Sequence, residues 1–253
     1  MDALNPVIEL ERVHFGYEAG KPVLNDLTFS LHEGQKVGLI GYNGSGKTTL
    51  LHLIMGLVTP SSGTIRVLGR QIKTQKDFLK VRRTIGLVFQ NADDQLFSPT
   101  VLEDVAFGPL NLGKPPKEAR RMARETLESL NLQGFEDRIT HKLSGGEKRL
   151  VSLATVMVMQ PKALLLDEPT TGLDEGARTR IASLLNHLDI ASVIVSHEYD
   201  FLAETTQRIY SMKGGRIEFD GDAGTLHSHL HRHPAGTHPH RLEGPSSNPD
   251  RKR

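Results

Sequence analysis

The feature that most constrains this chain is an octapeptide, Gly41-Tyr42-Asn43-Gly44-Ser45-Gly46-Lys47-Thr48, which satisfies G-x-x-x-x-G-K-[ST] at every fixed position. A short apolar run, Lys36–Ile40, leads into it. Behind it, Thr49–Leu57 reads as a helix closed by Gly56 and the nearby Pro60. Strand, glycine-rich turn and helix in that order make a phosphate cradle. The glycines let the backbone wrap an anion, while successive N–H groups and the helix N-terminus point at its charge. Lys47 brings an ammonium to the β- and γ-phosphates, and Thr48 a hydroxyl to Mg²⁺. Thr49 completes the nucleotide-binding set at the start of the helix.

A second segment supplies what such a loop needs. Leu164-Leu165-Leu166-Asp167-Glu168 is an apolar strand delivering two acids to its C-terminal tip. Asp167 is placed to help hold Mg²⁺, and Glu168 to orient or deprotonate an attacking water. An apolar strand ending in acids is common by itself; paired with the phosphate loop it indicates hydrolysis of a nucleoside triphosphate.

Composition narrows the setting. Hydrophobic residues fill 37% of the 253 positions without counting glycine, enough for a core and against wholesale disorder. The net charge of +1 argues against a strongly basic nucleic-acid binder. Cysteine is absent, which excludes a disulfide framework or thiolate metal site and fits a cytosolic address. No apolar run approaches the roughly 18 residues that span a bilayer. Met1–Leu10 carries Asp2 and Glu9 without a preceding basic region, unlike a secretory signal. Work at a membrane would therefore need other chains to do the spanning.

Strand-like and helix-like segments alternate over the first 226 residues. Val7–Tyr17 and Leu24–Leu31 are rich in β-formers with partial period-2 alternation, which predicts an antiparallel start. Thr64–Leu68 and Ile85–Phe89 are further strands. Lys117–Leu130 is a helix after Pro115-Pro116. Ala163–Leu166 and Ser192–Val195 have the continuous apolar character of buried parallel strands. Arg208–Met212 and Arg216–Phe219 flank Gly214-Gly215 as a closing hairpin. Residues 227–253 differ. They lack Ile, Val, Phe, Met and Tyr, hold six of the twelve histidines, and carry five basic against two acidic side chains. That composition cannot offset its ordering entropy, so the reading is a disordered, His-rich tail.

Between the phosphate loop and Asp167 lies Leu143-Ser144-Gly145-Gly146-Glu147, with Ser144 lying 23 residues before Asp167. The order of phosphate loop, Gln90, Ser-Gly-Gly, Asp167-Glu168 and His197 resembles the ATP-binding cassette (ABC) family, from about Ile8 to Leu226. The resemblance implies a P-loop nucleotide-binding domain over residues 1–226, with an antiparallel β subdomain, a RecA-like α/β core and a helical subdomain at about 98–160. It gives Tyr17 the role of stacking on adenine, with modest nucleotide selectivity because any purine offers a flat face. Gln90 would reach Mg²⁺ and the attacking water, and His197 the γ-phosphate. Ser144, Gly145, Gly146 and Glu147 would bind the ATP held by a second ATPase subunit. Glu147 stands where the family often has Gln, a departure expected to leave the N–H donors unaffected. Asp174, in Thr171-Gly172-Leu173-Asp174, would link the two sites of the dimer, although this stretch departs from the commoner Ser-Ala-Leu-Asp.

Two further segments narrow the function. Phe89–Phe97, followed by Thr100–Pro109, resembles the ATPases of energy-coupling-factor importers, particularly the cobalt/nickel branch. The resemblance implies docking through this region onto a transmembrane coupling protein, with a substrate-binding membrane component and a place at the cytoplasmic face of the cell membrane. The second ATPase would be a copy of this chain or a related one, and no nucleic acid is expected. Nearby rivals are a vitamin importer of the same type and a non-transport ABC ATPase. In the tail, His227, His229, His231 and His233 alternate, with His238 and His240 following. An extended chain would put alternating imidazoles on one face, where they could bind Ni²⁺, Cu²⁺ or Zn²⁺. A solvated low-complexity terminus is the plain alternative.

Overall fold

Alternating buried and exposed side chains build the first sheet. β1 (Pro6–Phe15) pairs antiparallel with β2 (Leu24–His32), Leu10 opposite Phe29 and Glu9 opposite Ser30. A two-stranded ribbon is marginal alone. β4 (Ser62–Val67) adds to the other edge of β1 with Leu10 opposite Ile65, and β5 (Arg70–Gln71) completes the order β2-β1-β4-β5. The expected antiparallel start is observed.

The second sheet contains β3 (Lys36–Gly41), β6 (Ile85–Val88), β7 (Ala163–Asp167), β8 (Ala191–Val195), β9 (Arg208–Lys213) and β10 (Arg216–Asp222). Its order is β10-β9-β3-β8-β7-β6. The strands from β9 to β6 run parallel, and β10 turns back antiparallel on β9 through the expected hairpin. Every residue of β6, β7 and β8 is buried. That is why these strands read as continuous apolar runs: both faces are covered.

The computed structural model describes residues 6–18, 20–223, 231–233 and 236–238, and among these seven α-helices complete the fold. α1 (Lys47–Ile54) begins inside the phosphate loop, two residues before the expected start, because Gly46 takes the N-cap position at φ 103°. α2 (Gln75–Thr84) was not read from the sequence, although Thr74 and Asp77 form a reciprocal capping box at its start. α3 (Val101–Asn111), α4 (Pro116–Ser129) and α5 (Gly145–Met157) make a helical insert between β6 and β7. α6 (Glu175–His187) and α7 (Tyr199–Thr205) flank β8 in sequence.

Two apolar clusters hold these layers. One lies between the antiparallel sheet, α1 and the parallel sheet, with Leu10, Leu31, Leu39, Leu50 and Ile54 fully buried. The other joins the parallel sheet to α3–α7 through residues such as Val105, Leu127, Val151, Leu164 and Phe201. Buried Asp104 fastens the insert: it accepts from the Phe97 and Ser98 N–H groups at 3.1 and 2.8 Å and from Thr140 Oγ1 at 3.0 Å. Among the described residues no helix is long and apolar enough to cross a membrane. Within the tail, β11 (His231–His233) and β12 (Gly236–His238) pair antiparallel, His231 opposite His238. His227, His229 and His240 lie outside the described residues.

Phe201 of α7 is fully buried just past the site-bearing end of β8. Phe201→Ala should cost about 3–5 kcal/mol in chemical denaturation. A loss below about 1 kcal/mol would show that α7 is not packed as described.

Candidate active site

The phosphate loop takes its shape from positions that exclude side chains. Gly41 has φ 151°, and a Cβ there would lie 2.4 Å from the Met212 carbonyl oxygen. A Cβ on Gly46 would lie 2.6 Å from Leu24 Cδ2. Lys47 folds back over the loop, donating to the Gly41 and Tyr42 carbonyls at 2.7 and 3.1 Å. Burial lowers its pKa, while the Glu168 and Asp167 carboxylates act against that shift and favour the ammonium. Ser45 is buried and its Oγ has no hydrogen-bond partner, a polar atom left open inside the cradle.

A cleft of about 470 Å³ opens at this loop. It is lined by Tyr17, Val23, Asn43, Gly44, Gly46, Lys47, Thr48, Thr49, Gln90, Asp167, Glu168, Val195 and His197. The fold gathers them because β3, β8, β7 and β6 are successive neighbours. Their C-terminal ends carry the phosphate loop, His197, Asp167-Glu168 and Gln90 in that spatial order, as ligand sites in parallel sheets usually do. Tyr17 stands at the mouth, 62% exposed. Its hydroxyl lies 3.3 Å from Thr49 Oγ1, and it meets the Phe15 ring edge-on at 4.9 Å. That leaves a ring surface available to a base. Val23 was missed in the sequence, being one apolar residue in a loop without a motif.

The acids are held by specific neighbours. Asp167 Oδ2 accepts from Thr48 Oγ1 at 2.7 Å, joining the strand tip to the loop. Together with the Gln90 amide these are hard oxygen donors, the set that suits Mg²⁺ beside phosphate. Glu168 adopts φ 47°, a conformation uncommon outside glycine, and its N–H donates to the Val195 carbonyl at 2.9 Å. Its Oε2 accepts from Thr171 Oγ1 at 3.1 Å. Its Oε1 lies 3.0 Å from His197 Nε2, within ion-pair reach but without hydrogen-bond alignment. Thr171 was quoted in the sequence only as context for Asp174; its position three residues after Glu168 is the signal that could have found it.

The Ser-Gly-Gly segment and Asp174 do not line this cleft. Ser144 caps α5: its Oγ accepts from the Glu147 N–H at 3.3 Å, while Glu147 Oε2 accepts from the Ser144 N–H at 2.8 Å. Glu147 thus occupies one main-chain donor that the sequence reading left free, because a carboxylate three residues past the cap closes a capping box. The Arg138 guanidinium, 2.7 Å away, holds the Glu147 carboxyl below the usual range. Gly145 and Gly146 follow at the helix start. Asp174 caps α6, accepting from the Ala177 N–H at 2.8 Å.

Fold and site together define a P-loop nucleoside triphosphatase. The family model "ABC transporter" matches residues 24–171, and the chain belongs to that family of ATPases. It is 48% identical over 241 residues to a Nitratidesulfovibrio vulgaris protein provisionally named an ABC transporter ATP-binding protein, covering 95% of this chain and 88% of that one. It is 41% identical over 219 residues to the energy-coupling factor transporter ATP-binding protein EcfA of Methanocaldococcus jannaschii, covering 85% and 78%. Among solved structures, cbiO1 of Clostridium perfringens, part of the ABC transporter complex cbiONQ, superposes with a TM-score of 0.81 at 34% identity, covering 88% and 90%. The dimeric ATP-binding cassette MJ0796, bound to ADP and phosphate, gives 0.77 at 28% identity, covering 85% and 98%.

Lys47→Ala should weaken ATP binding by about 10- to 100-fold in calorimetry, the scale of a lost charge-assisted hydrogen bond. Unchanged affinity would remove Lys47 from the phosphate site. Glu168→Gln should keep ATP affinity while lowering turnover by about 10²- to 10⁴-fold. Wild-type turnover in that variant would mean that another group handles the water.

Proposed function

We propose that this chain is the ATP-hydrolysing subunit of an energy-coupling-factor importer, acting at the cytoplasmic face of the cell membrane with cobalt or nickel ions as cargo. The observation that carries this reading is a second groove, of about 620 Å³, beside the segment that bears Gln90. Phe97, 64% exposed, meets Phe107 edge-on at 4.7 Å there, and Leu79, Arg83 and Leu112 line the same groove. Contiguous exposed apolar surface of this kind marks a partner site, and a short amphipathic helix of a transmembrane coupling protein suits it. Only part of the Asp93–Phe97 motif serves that surface. Leu96 is buried, and Gln95, half-buried in the groove wall, is held by donating to the Ser152 carbonyl and Thr155 Oγ1.

In this reading Tyr17 stacks on the adenine and the loop N–H groups with Lys47 hold the β- and γ-phosphates. Thr48, Asp167 and Gln90 would hold Mg²⁺, which when bound neutralises phosphate charge. Glu168 takes a proton from the water that attacks the γ-phosphorus, with His197 beside its Oε1. ADP and phosphate are the products. Ser144, Gly145 and Gly146 of a second subunit close over the γ-phosphate, with Asp174 linking the two sites. Hydrolysis removes that bridge and the halves part, so motion passes to the membrane partner. The alternating histidines of the tail support a transition-metal cargo through the affinity of imidazole for such ions. The vitamin importer remains the rival reading, since the cargo does not touch this subunit.

Uptake of Ni²⁺ and Co²⁺ by cells carrying the whole native transporter tests this, wild type against Lys47→Ala. Uptake lost in the variant supports ATP-driven metal import; equal uptake with the complex verified as assembled overturns the metal cargo. Phe107→Asp should abolish co-purification with the coupling protein, as expected for an aromatic anchor in the groove, while basal ATPase activity stays within about twofold because Phe107 does not line the ATP cleft. Retained co-purification would move the docking surface elsewhere.

A further inference from the structure

Arg149 is a buried cation without a paired carboxylate among the described residues. It projects from the second turn of α5 with 6% of its surface exposed. Nη1 donates to the Phe89 carbonyl and Nη2 to the Gln90 carbonyl, each at 2.5 Å, while Nε has no partner. Burial lowers its pKa, and the charged group that offsets this is Asp167. Arginine remains protonated in such a setting.

Burying a guanidinium that gains no ion pair is costly, and an apolar side chain of similar volume would pack a helix against a loop without that cost. The charge therefore has to be explained by what its fork does. Two parallel donors on consecutive carbonyls fix the orientation of the peptide unit between Phe89 and Gln90, and so the direction in which the Gln90 side chain leaves the chain. The same helix grips the segment again farther on. Lys148 Nζ pairs with Asp93 at 2.6 Å. Gln95 donates to the Ser152 carbonyl and Thr155 Oγ1 at 2.8 Å and accepts from the Phe89 N–H at 3.2 Å. Residues 89–95 are thus bound at both ends to the helix that starts at Ser144-Gly145-Gly146.

We propose that Arg149 is a positioning residue for Gln90, tying its placement in the cleft to α5 so that the two move as one unit. The inference rests on the reading of Gln90 as a group acting at the reacting phosphate. It assigns to Arg149 a role in turnover beyond packing.

A double-mutant cycle on the purified full-length chain tests it, with kcat and KM for ATP and a thermal melt for each variant. Arg149→Met should lower kcat by about tenfold or more with KM within about twofold. Combined with Gln90→Ala it should be no slower than Gln90→Ala alone, because the fork then has nothing left to place. Arg149→Lys should recover much of the rate, its ammonium being able to donate to both carbonyls. Losses that multiply in the double variant, or a wild-type kcat in Arg149→Met, would make Arg149 structural only and overturn the proposal. Wild-type turnover in Gln90→Ala would instead remove the assignment of Gln90, and this inference with it. If Arg149→Met melts below the assay temperature, Arg149→Gln takes its place in the same cycle, since its amide is too short to span both carbonyls.

Discussion

The parallel register of β3, β8, β7 and β6 is the constraint on which the rest of the structure depends. It brings four strand ends from separate parts of the chain to one edge, spaced by the roughly 4.8 Å between neighbouring strands. The phosphate loop, His197, Asp167-Glu168 and Gln90 are then neighbours as a matter of topology. The Glu168 to Val195 main-chain bond locks the adjacent ends of β7 and β8, and the Thr48 to Asp167 hydrogen bond ties the tip of β7 to the phosphate loop across β8. Both acids are buried among apolar strands, where an attractive charge nearby counts for more than it would in water. Lys47 provides that charge.

The helical insert performs a different task. Its core is continuous with the parallel sheet through one apolar cluster, and Asp104 pins its entry by three hydrogen bonds. Its helix α5 starts at the Ser-Gly-Gly turn and reaches back, through Lys148, Arg149 and the residues that hold Gln95, to the Gln90 segment. The apolar groove sits next to the same segment. A push on Phe97 or Phe107 therefore has a short mechanical route to the cleft, through packed groups and hydrogen bonds with defined partners.

Much of this was legible in the sequence, for identifiable reasons. The phosphate loop demands glycine where φ is positive and a Lys-Thr pair at the helix start, so its residues could be named without any contact information. The buried strands announced themselves as unbroken apolar runs. α2, α6 and α7 did not: they are short or largely polar on their outer faces, and Thr74 and Asp174, which cap α2 and α6, become informative only beside a located helix. Cleft residues found by motif, such as Asp167 and Glu168, were accessible in the same way. Val23, Thr171 and Arg149 were not, because their partners are distant in sequence or their chemistry runs through main-chain atoms. Glu147 illustrates the remaining gap. Its identity was plain, yet only its geometry revealed that it closes a capping box and occupies the Ser144 N–H.

In the proposed dimer a complete catalytic site joins the phosphate loop of one chain to the Ser-Gly-Gly segment of another. The most direct test is complementation between Ser144→Arg and Lys47→Ala chains, assayed for ATP hydrolysis separately and after mixing. In this account each is inactive alone, and mixing restores about a quarter of wild-type activity, since half of randomly formed dimers carry one intact composite site. Wild-type turnover by Ser144→Arg alone, with no gain on mixing, would contradict the account.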